Sequence, residues 1–119
     1  MAIPNIVSVS SIYGTTAVGV LTTTLTTTLV TAASDKVLKI NVIRCTNITD
    51  NDATVTLDVE VSGTHKKIAN EVTVPANSVV DIVDKNSSFY FMETDLLRGG
   101  ASAGSAIDVL ISYEILDDA

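Results

Sequence analysis

Across residues 54–61 the chain alternates strictly, with Val55, Leu57, Val59 and Val61 on one side of an extended backbone and Thr54, Thr56, Asp58 and Glu60 on the other. Successive side chains of a strand leave from opposite faces, so this pattern defines a β-strand with one buried face. The alternation returns at Ile107, Val109, Ile111, Tyr113 and Ile115, with Asp108, Ser112 and Glu114 between them. Composition extends the constraint to the whole chain. Its 119 residues include 16 Thr, 16 Val and 11 Ile, whose branched Cβ atoms suit a pleated surface better than a helix. Further strands are expected at about 36–46, 66–74, 78–84 and 89–92. They are separated by turn chemistry at Asp50-Asn51-Asp52, Ser62-Gly63-Thr64, Pro75-Ala76-Asn77 and Asn86-Ser87-Ser88. This spacing predicts an all-β protein folded as a single compact antiparallel β-sandwich, jelly-roll or immunoglobulin-like.

Three segments fit the pattern less simply. Residues 20–31 read VLTTTLTTTLVT, with Leu21, Leu25 and Leu29 four apart, a spacing that one helical stripe or one strand face can satisfy. Thr is a poor helix former, which favours the strand, with Thr22, Thr24, Thr26 and Thr28 aligned on one face as a threonine-rich subunit contact. Residues 1–13 carry Ile3, Ile6, Val7, Val9 and Ile12 without a charge and lead to Gly14. They are read as an extended N-terminal arm that adds to a neighbour's sheet, or else an edge strand of the chain's own sheet, ahead of a β-sandwich domain at 14–119. Gly99-Gly100-Ala101-Ser102-Ala103-Gly104-Ser105 reads as a flexible surface loop, and it lacks the Lys-Ser/Thr that a phosphate-binding loop requires.

Length and charge restrict what such a domain does. A chain of this size forms one core with no room for a separate substrate domain. Seven basic against 14 acidic side chains give a formal charge of -7, which repels phosphate backbones, so direct nucleic-acid binding is not expected. The apolar stretches are short and interrupted by Thr, Asp or Asn, so no membrane span is expected. A positive mean hydropathy without such a span points to apolar surface covered by other subunits, and so to a homo-oligomer. The lone Cys45 forms no intrachain disulfide, and the N-terminus lacks a secretory pattern, consistent with synthesis in a cytoplasm. The glycosylation matches at Asn47 and Asn86 are therefore read as chance.

The residues that carry chemistry do not form a motif. His65, the only histidine, lies where a polar hairpin turn enters a strand, and Cys45 among apolar neighbours reads as a small core residue. One His and one Cys do not supply a zinc motif, and Asp50-Asn51-Asp52 lacks the Gly and distal Glu of a calcium loop. Asp58 and Glu60 alternate outward and are expected to be solvated like any polar face. The reading assigns no catalytic residues, no cofactor and no metal site.

Val72-Thr73-Val74-Pro75-Ala76-Asn77-Ser78, then Asp81-Ile82-Val83-Asp84-Lys85, then Phe89-Tyr90-Phe91-Met92-Glu93-Thr94-Asp95-Leu96-Leu97-Arg98, and a closing Ile111-Ser112-Tyr113-Glu114 recur in this order along the C-terminal half. With the opening Met1-Ala2-Ile3-Pro4-Asn5-Ile6-Val7, this series resembles small virion structural proteins of tailed bacteriophages, particularly those of marine cyanobacterial phages. The likeness covers nearly the whole chain and rests on turn-and-strand patterning. In that family the VPAN turn and the D-L-L-R stretch separate strands of a β-sandwich; here the acidic turn reads Glu93-Thr94-Asp95, where a Gly often stands before the Asp. The resemblance implies a particle component: a capsid decoration protein first, a neck or tail protein second. It also implies a homotrimer on a capsid, with the major capsid or other virion proteins as partners. The acidic charge favours the outer particle surface over any site beside packaged DNA. A carbohydrate-binding β-sandwich is a further reading, for which the absence of Trp leaves few aromatic platforms.

Overall fold

The computed structural model describes residues 11–84 and 86–117. Among the described residues nine strands follow one another: β1 (Ser11–Val20), β2 (Thr27–Thr31), β3 (Lys36–Asn47), β4 (Ala53–Val61), β5 (Thr64–Val74), β6 (Val79–Val83), β7 (Phe89–Phe91), β8 (Leu96–Ala101) and β9 (Ile107–Asp117). They form two antiparallel sheets, one ordered β1-β9-β3-β6 with β7 also paired to β3, the other β2-β8-β4-β5. Setting the three-residue β7 aside, the pairs are nested: β4 with β5 innermost, then β3 with β6, β2 with β8, and β1 with β9 outermost. A long hairpin rolled up in this way is a jelly roll, which decides between the two sandwich topologies that the strand spacing allowed.

The core fills the gap between the sheets. Ile40, Ile43, Cys45, Val109 and Ile111 from one sheet meet Val55, Leu57, Leu97 and Val74 from the other, with Phe91 and Leu21 also fully enclosed. Phe89 packs against Phe91 edge to face, with ring centroids 5.3 Å apart. The alternation of β4 marks where the sandwich ends. Val55 and Leu57 are buried, Val59 is partly buried and Val61, next to the hairpin turn, is exposed.

Three expectations need correction. Residues 20–31 are neither one strand nor a helix: β1 stops at Val20, a turn runs through Thr26, and β2 begins at Thr27. Leu21 is drawn into the core, where its N–H donates to the Ile107 carbonyl and its carbonyl accepts from Ser105, and this anchorage bends the chain across to the other sheet. Residues 99–101 are not a loop but the buried end of β8, beside β4. A Cβ on Gly99 would lie 2.7 Å from Leu21 Cδ2 and 2.9 Å from Leu57 Cδ2, and one on Gly100 would lie 2.8 Å from the Thr24 carbonyl oxygen. Glycine is required here by close packing on both faces of the strand. The boundary placed after residue 13 falls inside β1, an edge strand of the chain's own sheet as the second reading of residues 1–13 had it, where Ile12, Tyr13 and Gly14 pair in continuous register with Leu116, Ile115 and Glu114. Gly14 is thus a strand residue. The remainder of the expected arm, with Ile3, Ile6, Val7 and Val9, lies outside the described residues.

The turns follow their chemistry. Ser62 and Gly63 take φ of 53° and 81°, the positive pair of a two-residue hairpin turn of the I′ type. Thr94, where a glycine would adopt the conformation at least cost, holds φ of 72°. The neighbouring Asp95 is buried, its carboxylate accepting from the backbone N–H groups of Met92 and Ser62. It thereby fastens the β7–β8 turn to the β4–β5 hairpin.

Candidate functional site

Asn47 organises the loops at one end of the sandwich. It is 1% exposed, donates through Nδ2 to the carbonyls of Asn51 and Val74, and accepts through Oδ1 from the N–H and hydroxyl of Thr49. This amide is fully engaged in structure, so the match to a glycosylation pattern there corresponds to a closed turn. The acidic run beside it is engaged likewise: Asp52 accepts from the Ala76 N–H at 2.9 Å, and Asp50 accepts from the Asn77 side chain at 3.0 Å. These carboxylates join the β3–β4 loop to the VPAN turn, as turn formers and not as a cluster of open oxygen ligands.

The outer face of the β2-β8-β4-β5 sheet holds the most concentrated charge. Cross-strand register places Asp58 of β4 between Arg98 of β8 and Lys67 of β5. Arg98 donates to Asp58 through Nε at 3.0 Å and through its terminal nitrogen at 2.6 Å, a fork-to-fork pair. Hydrogen bonding to this carboxylate raises the Arg98 pKa further, against the opposing effect of burial. His65 stands at the start of β5, with Nε2 3.1 Å from Glu60 and Nδ1 3.6 Å from Asp58. The exposed position foreseen for His65 is observed. The solvated Asp58 is not, since it is only 3% exposed. Its direction was legible from alternation, but the Arg98 that covers it lies 40 residues away and on a strand the sequence hid.

Beside this pair lies a shallow cleft of about 520 Å³ bordered by Thr54, Thr56, Lys67, Asn70, Glu71 and Ser102. Glu71 adopts φ of 51° at a bulge in β5 and donates its backbone N–H to Thr56 Oγ1. None of the described side chains bordering the cleft is aromatic, so a sugar ring would find hydrogen-bonding groups but no stacking surface. Cys45 is enclosed, and burial, with a smaller effect from Asp81, pushes its thiol pKa up to about 12. A thiol held protonated in this way is a packing group and a poor nucleophile. Asp81 is paired with Arg44 at 2.7 Å on the surface, and that hydrogen bond lowers its pKa. Among the described residues, no group of three His, Cys, Asp or Glu side chains is placed to hold a metal ion.

The third surface is β1. It forms one edge of its sheet, paired with β9 alone among the described strands, and its ten residues carry no charge. Ile12 is 59% exposed and Val18 78%, with Val20 and Tyr13 also open. Thr22, Thr24 and Thr26 lie in the turn after β1 and only Thr28 lies in a strand, so the expected ladder on one face does not form. Instead the hydroxyls bond one another, Thr24 to Thr26 at 2.8 Å and Thr22 to Thr24 at 3.3 Å, on an exposed turn.

The fold and its surfaces define an antiparallel β-sandwich of jelly-roll topology with one long uncharged edge. No family model matches the chain, and no curated protein is significantly similar to it.

Proposed function

We propose that this chain is a non-enzymatic structural protein of a tailed-phage virion, an outer capsid decoration protein that stabilises the particle through many-copy contacts. The observation that carries the reading is the combination of an acidic molecule with an uncharged, partly aliphatic edge strand: a surface suited to protein contact and not to turnover of a small molecule. The likeness of the turn-and-strand series to small phage virion proteins supplies the particle context. Jelly rolls recur in viral capsid proteins and in lectins, which supports the reading only at the level of fold analogy. The formal charge of -7 favours an outer position, away from packaged DNA. Partners are further copies of the chain and the major capsid or other virion proteins.

Antibody labelling and mass spectrometry of purified particles of the phage encoding this chain test the proposal. Many copies accessible on intact capsids are expected. Absence from the particle overturns the structural role, and labelling confined to the neck or tail overturns decoration in favour of those sites.

A further inference from the structure

We infer that β1 is the seam of a twofold dimer, pairing antiparallel with β1 of a second copy so that Thr16 faces its own symmetry mate. The inference deepens the subunit-contact role proposed above and rests on it. An edge strand offers a row of backbone N–H and C=O groups on its open side, and the group complementary to such a row is another strand. Residues directly opposite in an antiparallel pair present their side chains on the same face, which restricts the register to pairs from one face of β1. With Thr16 on the axis, residues 12–20 of both copies pair along their full length. Ile12 then lies opposite Val20 and Gly14 opposite Val18, while on the core-facing side Tyr13 lies opposite Gly19 and Thr15 opposite Ala17. Two exposed aliphatic side chains meet at each end of the seam, an aromatic ring covers a glycine, and no pair contains a charge.

The other edges are less suited to self-pairing. β5 carries His65, Lys66, Lys67 and Glu71 and is interrupted by shifts of register against β4; β6 carries Asp81; β2 has five residues with a register shift between Thr28 and Val30. The net charge of the chain does not oppose the seam. In the joined sheet the two β9 strands, which carry Asp108 and Glu114, are three strand spacings apart, about 14 Å. That exceeds the screening length of about 8 Å at physiological ionic strength. The seam produces a continuous ten-stranded sheet and a twofold, in place of the threefold expected from the capsid analogy.

Thr16→Cys tests the register on the purified full-length protein. Directly opposite residues have Cα atoms about 4.5–5.5 Å apart, within reach of a disulfide. The native Cys45 is enclosed and does not compete. Mild oxidation is expected to convert Thr16→Cys into a covalent dimer, and to leave Val79→Cys, exposed on the opposite edge at β6, without a covalent crosslink in denaturing electrophoresis. In sedimentation at high micromolar concentration the parent is expected at twice the chain mass. Thr16→Lys and Thr16→Asp each set like charges against one another and weaken association by about tenfold or more, while an equal mixture of the two restores it. A parent that sediments as a monomer, Thr16→Cys that does not crosslink, or Val79→Cys that crosslinks equally overturns the seam. These results are read without the particle, so a failed seam is distinguished from a failed virion assignment.

Discussion

Arg98→Ala is the most informative single change in this fold, because the two members of its ion pair are unequally placed. The Arg98 side chain is 26% exposed and that of Asp58 only 4%. Deleting Asp58 frees a guanidinium that reaches water by rotating outward, whereas deleting Arg98 strands a carboxylate beneath the sheet surface with two hydrogen bonds lost. Breaking a buried pair from the side that leaves an uncompensated charge costs about 3–5 kcal/mol. The exposure of Arg98 and the proximity of His65 to Asp58 reduce that to about 2–4 kcal/mol. Asp58→Ala is expected to cost about 1–2 kcal/mol, chiefly the lost hydrogen bonds. At about 4 °C per kcal/mol for a domain of this size, Arg98→Ala lowers the Tm by about 8–16 °C and Asp58→Ala by about half as much.

With no Trp in the chain, far-ultraviolet circular dichroism during urea and thermal unfolding is the suitable assay. Equal losses in the two variants would falsify the argument.

Other changes probe the remaining elements. Gly100→Ala should lower stability by about 1–3 kcal/mol in urea melts, because its Cβ meets the Thr24 backbone and forces the 22–26 turn off β8; a stability equal to the parent's would contradict that packing. Asn47→Ala should cost about 2–4 kcal/mol by removing the partners of the Asn51 and Val74 carbonyls and of Thr49, measured in the same melts. Cys45, with its pKa raised to about 12, should resist a thiol reagent at mildly alkaline pH in the folded protein and react at once in urea; rapid labelling without denaturant would show that the site opens.

The strands whose side chains alternate were legible in the order of residues alone. Val55 and Leu57 against Thr54 and Thr56, and Ile107, Val109 and Ile111 against Asp108, specify both a strand and its buried face, because that information is carried by neighbours two residues apart. The turns at Ser62-Gly63 and Pro75-Ala76-Asn77, and the enclosure of Cys45, were local in the same sense. Tertiary structure alone decided the rest. Gly99 and Gly100 carry no side-chain pattern, and their place in β8 is set by Leu21, Leu57 and the Thr24 backbone, which press on the strand from both faces. The leucine spacing at 20–31 fits either period and its threonines favoured one strand, and only the capture of Leu21 between the ends of β8 and β9 broke it into a turn and a strand. Asp58 was legible as outward-facing but not as buried, since its burial depends on an arginine from a strand adjacent in space and distant in sequence. Periodicity fixes which way a side chain points; what meets it there depends on the order in which strands assemble, and in this jelly roll that order pairs β1 with β9, the first and last described strands.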